Sequence, residues 1–214
     1  MSRPEITVID YGIGNLFSVK RALEYCGANV RMSSKAADIV NADRLLLPGV
    51  GAFADGMQGL RDRDLVEPLT QFAATGRPLL GICLGMQMLA TASEEFGEHQ
   101  GLGLIPGRVK QVPLRTVEGN PHKIPHIGWS EIFPTSDGGW KGTMLEDTAA
   151  GAPVYLVHSF HHVPENPAHL LADCDYGGHR VTAAIRSGPI LGAQFHPEKS
   201  GSEGLKMMAA FLRL

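Results

Sequence analysis

Short strand-like runs alternate with helical stretches through the first half of the chain, and this alternation constrains the fold more than any other feature. "EITVID", "NVRMS", "DRLLLPGVG" and "RPLLGIC" begin at residues 5, 29, 43 and 77. Helical patterns lie between and after them. "LFSVKRALEYCG" is closed by Gly27, and "LGMQMLATASEEFG" is ended by Gly97. "GMQGLRDRDLVEPLTQFAATG" is expected to break near Pro68, because proline interrupts a helix interior. Apolar runs with little polar alternation suit strands buried on both faces, and so a parallel sheet covered by helices. The second half changes character. "GRVKQVP", "IPHIGWSEIF", "PVYLVHSFHHVP", "LLADCDYG", "RVTAAIRSG" and "PILGAQFHPE" are strands punctuated by Gly and Pro. A final helix, "SEGLKMMAAFLRL", carries an apolar stripe. The expected class is α/β: a central, mostly parallel sheet with helices on both faces, and antiparallel strands in the C-terminal half. The one long loop-like segment is "PTSDGGWKGTMLEDTAAGAP", residues 134–153.

Composition bounds the function. A chain of 214 residues can build one domain with a sizeable core, and a single domain over 1–214 is expected. A net charge of -3 gives no reason to expect nucleic acid or an anionic membrane as partner. "MSRPEITVIDYGIGN" reaches a strand pattern at once, and no apolar run approaches the ~20 residues of a membrane span. Three scattered cysteines, Cys26, Cys83 and Cys174, suit neither a disulfide framework nor a zinc knuckle. They point to a reducing, cytoplasmic setting.

The chemistry centres on "LLGICLGMQM", residues 79–88. A buried strand ends at Cys83 and a helix begins beyond it, with Gly81 and Gly85 two positions away on either side. This is the form of a nucleophile elbow with cysteine in place of serine. A helix N-terminus favours the thiolate, and a histidine base is needed to complete its activation. His196 ends the strand "PILGAQF" and is followed by Pro197 and Glu198. In extended chain, positions i and i+2 face the same side. Glu198 can then hold one ring nitrogen of His196 and leave the other for the thiol, the logic of a nucleophile–base–orienter triad. A polar turn after a strand is the plainer alternative.

Acyl chemistry also needs N–H donors for a tetrahedral oxyanion. The amide of Leu84 is one candidate. The loop "LLLPGVGAF", with Gly49, Val50 and Gly51, offers another, unless it is only a strand-to-helix turn. "DYGIGN" lacks the third glycine of a dinucleotide fingerprint, since Phe17 stands there. His158, His161 and His162 in "HSFHH" suggest a metal site. No carboxylate lies close, and polar residues around a strand end explain them as well.

"GICLGMQ", "QFHPEKS" and "LLLPGVGAF" together resemble the class I glutamine amidotransferases. "PGVGAF", "GMQ", "PHIGW" and "HPEKS" narrow the likeness to glutaminase subunits that serve a (β/α)8-barrel synthase in histidine biosynthesis. The resemblance covers nearly the whole chain. It implies that Cys83 attacks the side-chain amide of L-glutamine, that His196 shuttles protons, and that Glu198 holds His196. Gln87, Glu95, Ser159 and Phe160 would line the substrate pocket. Asn15, His126, Trp129 and Lys199 match positions at or near the surface facing the barrel partner of a heterodimer. No metal or organic cofactor is implied. The resemblance further implies very low activity without the partner, and a peptide at Val50 flanked by glycines could rotate to make or remove an oxyanion donor. The pattern departs at Phe160, where tyrosine is common, at Ser130, where asparagine often follows "GW", and in the long 134–153 segment. Two other readings stay open: a subunit serving a different synthase, and a non-enzymatic α/β binding module.

Overall fold

In the computed structural model, which describes residues 3–136 and 139–214, the alternation of the first half becomes four neighbouring parallel strands, and a fifth from the C-terminal half joins them. The strands are β1 (Glu5–Ile9), β2 (Asn29–Ser33), β3 (Leu45–Leu47), β4 (Leu79–Ile82), β5 (Ala92–Ser93), β6 (His99–Gln100), β7 (Gly107–Gln111), β8 (His126–Pro134), β9 (Ala152–His158), β10 (Phe160–Pro164), β11 (Leu170–Tyr176), β12 (His179–Ser187) and β13 (Ile190–Ala193). The helices are α1 (Leu16–Tyr25), α2 (Ala36–Val40), α3 (Phe53–Arg61), α4 (Val66–Ala74), α5 (Leu84–Met88) and α6 (Gly201–Phe211). Nine strands form one sheet in the order β2-β1-β3-β4-β13-β12-β11-β8-β9. From β2 to β13 the neighbours run parallel, and from β13 to β9 they run antiparallel. A second sheet, β10-β7-β5-β6, stands beside it.

The apolar strands bury both faces by simple alternation. Ile6, Val8, Leu46, Leu80 and Ile82 pack in one layer with Val19 and Leu23 of α1 and Met207, Met208 and Phe211 of α6. Ile9, Leu45, Leu47 and Leu79 enter the opposite layer with Phe53, Met57, Leu69 and Phe72 of α3 and α4. The sheet therefore has helices on both faces, and β4 lies inside it between β3 and β13, with its carboxyl end free for a site.

Several local expectations are corrected by tertiary contacts. The helical stretch 56–76 breaks at residues 62–65, where Asp64 takes a φ of 53°, and not at Pro68. Pro68 falls in the first turn of α4, where a missing N–H costs no helical bond. The helix after Cys83 stops at Met88 instead of reaching Gly97. The carbonyls of Met88, Leu89 and Ala90 accept from Leu102, Ile105 and Gly103 of the returning chain, so the helix gives up its continuation to a tertiary ladder. A short helix, α2, fills the link between β2 and β3, where no helix is evident from the sequence. "PVYLVHSFHHVP" is not one strand. It changes sheets at Ser159, β9 pairing with β8 and β10 with β7. Residues 137 and 138 of the 134–153 segment lie outside the described residues. After them Trp140 is buried and its indole N–H donates to the Leu171 carbonyl at 3.0 Å, with Met144 and Leu145 buried beside it.

The tightest packing lies under the β4–α5 corner. A Cβ at Gly85 would stand inside the van der Waals shell of the Leu47 carbonyl. Gly85→Ala must push α5 off β3, and its cost is expected at the severe end for single substitutions, about 3 kcal/mol or more. A urea melt of the variant checks this, and an unchanged midpoint would contradict it.

Candidate active site

Cys83 stands between β4 and α5 with φ 55° and ψ -113°, a conformation that L-residues adopt at a cost. Two hydrogen bonds impose it. Cys83 N–H donates to the Ala193 carbonyl of β13 at 2.7 Å, and the Cys83 carbonyl accepts from Gln87 N–H at 3.1 Å. The flanking glycines permit the fold-back, since a Cβ on Gly81 would lie 2.7 Å from the Gly85 carbonyl oxygen. Only 8% exposed, the thiol faces a cavity of about 310 Å³.

His196 reaches the same cavity from the far end of β13. Its backbone N–H donates to Tyr155, and its carbonyl accepts from the Ser200 hydroxyl at 2.7 Å. Its Nδ1 lies 2.8 Å from Glu198 Oε1, with both side chains almost fully buried. The two are not joined through extended chain, as spacing alone suggests. Pro197–Lys199 form a 3-10 turn, and that turn carries Glu198 back to the ring. Burial works against a charged imidazole, but hydrogen bonds to Cys83 and Glu198 outweigh it and push His196 up to about 9. The shift favours the charged ring, beside the sulfur. With only five residues, α5 is barely longer than one turn, so the positive field at Cys83 comes chiefly from His196.

Val50, Gly51 and Leu84 line the cavity around Cys83. Gly49 lies behind them, where a Cβ would come within 2.5 Å of Tyr11 Oη. That hydroxyl donates to the Pro48 carbonyl at 2.8 Å and pins the start of the loop. Gln87, Glu95, Ser159 and Phe160 line the other side of the cavity. Glu95 also accepts from Phe53 N–H at 2.7 Å and so ties α3 to the site. Gln87 Nε2 donates to the Phe160 carbonyl at 2.9 Å and to Gln194 Oε1 at 3.1 Å. His158 Nδ1 donates to the same carbonyl at 2.8 Å. Tyr11 and Gln194 are polar residues of the site that the sequence reading passes over, and His158 enters that reading only as a possible metal ligand. Gln194 had a detectable signal, since it stands two positions before His196 in "QFHPE".

The four positions matched to a partner surface separate. Trp129 is 58% exposed on β8, edge-on to Tyr155, with Ile127 exposed beside it. Lys199 is exposed. Asn15 caps α1, its side chain accepting from Ser18 N–H. His126 is only 2% exposed, stacked under Tyr176 at 3.7 Å and bonded to Ser130 Oγ, so its ring cannot itself touch a partner. Among the described residues, no three His, Cys, Asp or Glu side chains gather closely enough to hold a metal. The sheet change at Ser159 separates His158 from His161 and His162, and His161 Nδ1 is taken by Thr182 N–H.

Burial, first among the causes, drives four histidines far below the ordinary value: His158 to about 3, and His126, His161 and His162 to about 4. The unfolded chain takes up protons on them below about pH 6.5, and the folded chain does not. Their contribution to stability is present above that pH and is lost as pH falls towards 4. The thermal midpoint should begin to drop near pH 6.5, before the carboxylates titrate, and His162→Asn should flatten that drop. A midpoint constant down to about pH 5 would contradict this.

Residues 7–213 match the model of the family described as glutamine amidotransferase class-I. "Imidazole glycerol phosphate synthase subunit HisH 1" of Legionella pneumophila (strain Lens) is 51% identical over 210 residues, spanning 98% of this chain and 99% of its own. The HisH subunit of Syntrophotalea carbinolica (strain DSM 2380 / NBRC 103641 / GraBd1) is 44% identical over 207 residues, 96% of this chain and 98% of its own. Among solved structures, PurLQS from Thermotoga maritima has a similar fold, with TM-score 0.74 at 19% identity over 99% of both chains. The crystal structure of a glutamine amidotransferase is also similar, with TM-score 0.72 at 17% identity over 97% of both chains.

Proposed function

Because the chain belongs to the class I glutamine amidotransferases, we propose that it is the glutaminase subunit of an imidazole glycerol phosphate synthase. It hydrolyses L-glutamine to glutamate and passes the ammonia to a (β/α)8-barrel partner. The partner uses it to form imidazole glycerol phosphate and the aminoimidazole carboxamide ribotide in cytoplasmic histidine biosynthesis. Support for this assignment comes from full-length relatives named as that subunit. The observation that carries the chemistry is Cys83 and His196 together on the wall of one cavity, with Glu198 bonded to the ring behind it.

The geometry suits a two-step acyl transfer. The Cys83 thiolate attacks the amide carbon of glutamine, and negative charge develops on the carbonyl oxygen. The Leu84 N–H and an N–H from the 49–51 loop are its donors; one such donor contributes about 2.7–4 kcal/mol. His196 gives its proton to the leaving nitrogen, ammonia departs, and a glutamyl thioester remains. Neutral His196 then takes a proton from water as the water attacks the thioester. Glutamate leaves, and the thiolate–imidazolium pair is restored. Glu198 keeps the ring in register for both transfers. With the Pro48 carbonyl tied to Tyr11, the peptides around Val50 are the ones free to turn, which is where a partner could control the oxyanion donor.

In the reconstituted complex, Cys83→Ser should abolish glutamine-dependent synthesis and leave synthesis from ammonium salt intact. Full glutamine use by that variant would remove Cys83 as nucleophile. His196→Asn should lose more glutaminase activity than Glu198→Gln, because the first removes the proton carrier and the second only its support.

Trp129 supports a partner surface on β8, since a tryptophan exposed this far stabilises no core and large aromatic side chains anchor interfaces. Trp129→Ala is expected to weaken binding to the barrel subunit, read by titration calorimetry, while the subunit's own melting temperature stays put. Unchanged affinity would move the interface elsewhere.

A further inference from the structure

Cys83 has a buried polar neighbour outside the triad. Gln194 is fully buried, and its Nε2 lies 3.9 Å from Cys83 Sγ, within the longer reach of a sulfur acceptor. Which end of this amide faces the sulfur is decided by its surroundings. The Phe160 carbonyl can only accept, so Gln87 must present Nε2 to it. The same Nε2 gives its second hydrogen to Gln194. Gln194 must then turn Oε1 to Gln87, because the opposite flip would set two donors face to face. Its Nε2–H is left pointing at Cys83. A backbone carbonyl thus fixes, through two amides, an N–H donor at the thiol. Nothing in this chain of bonds depends on His196.

We propose that Gln194 is a further catalytic residue, whose Nε2–H donates to Cys83 Sγ and stabilises the thiolate before attack and again when the thioester breaks. Gln87 is the residue that holds Gln194 in that orientation. The inference rests on Cys83 being the nucleophile. Two donors on the sulfur also divide the work. The imidazolium must surrender its proton to ammonia, whereas Gln194 keeps its protons throughout and needs no proton transfer to support charge on the sulfur before attack and as the thiolate leaves. Other groups near the sulfur are His196, Tyr11, whose ionisation burial and a charge on the sulfur both oppose, and Glu95 and His158 on the cavity wall. All four stay unchanged in the variants below, so a difference among them belongs to the amide chain.

The test is alkylation of Cys83 by iodoacetamide as a function of pH. The thiolate sulfur forms a bond to the methylene carbon and iodide leaves, and mass spectrometry of the Cys83 peptide separates it from Cys26 and Cys174. For Gln194→Met, the pH of half-maximal rate should rise by about one unit, or about tenfold less thiolate below both midpoints. Gln194→Glu should shift it further, and Gln87→Met less, in the same direction. The plateau rate at high pH should hold in all of them. A loss of rate at every pH with an unmoved midpoint would mark Gln194 as merely structural and overturn the proposal. If Gln194→Met does not fold, Gln87→Met decides by the same criterion. Should wild-type Cys83 react no faster than Cys26, the nucleophile assignment itself fails. A reactive wild type with unmoved variants sinks only the role of Gln194.

Discussion

The backbone of Gly85 lies so close to the Leu47 carbonyl that no side-chain carbon fits between them, and the rest of the site depends on that contact. It lets a one-turn helix fold straight back from β4 onto β3. Fold-back forces Cys83 into positive φ, and positive φ is what lifts its side chain out of the sheet. The hydrogen bond to Ala193 then anchors the same residue to β13, the strand that leads to His196. Cys83 and His196 are brought together because neighbouring parallel strands end at the same edge. The strain of one residue is held in place by packing on both sides.

A second joint lies at the change of sheets. β9 leaves the large sheet at Ser159 and β10 enters the small one, which exposes the Phe160 carbonyl between them. In a continuous strand that carbonyl would belong to a ladder. Here it accepts from both His158 and Gln87, filling its two lone pairs and stitching the two sheets to α5. This wall of the cavity and the orientation of the buried amides are therefore consequences of one backbone break.

Electrostatics separates the histidines more sharply than their sequence does. His196 is buried, yet its proton is held more tightly than in water, because the Glu198 carboxylate and the Cys83 sulfur both accept from the ring. His158, His161 and His162 are as deeply buried without an anion beside them, and they are neutral. The cavity thus pairs a ring that favours its charged form next to Cys83 with a neutral donor at the Phe160 carbonyl. The difference follows from desolvation: burial penalises every charge, and only an opposite charge within hydrogen-bond reach reverses it.

The sequence by itself determined the class of the sheet, the change from parallel to antiparallel order, the elbow at Cys83 and the pairing of His196 with Glu198. These features are local: runs of apolar residues, glycines flanking a corner, and a histidine two positions from a glutamate. Tertiary structure decided what local periodicity cannot carry. The helix after Cys83 ends at Met88 because a distant segment claims its carbonyls. "HSFHH" breaks between sheets because two different strands compete for its two halves. His126 is buried under Tyr176, a residue fifty positions later, although its motif suits a surface. The turn at Pro197, not alternation, brings Glu198 to its histidine. Gln194 becomes a donor to the thiol only through Gln87 and Phe160, residues from two other elements. A sequence specifies which groups it owns, but the direction in which a buried amide points is set by acceptors that only the folded chain brings within reach.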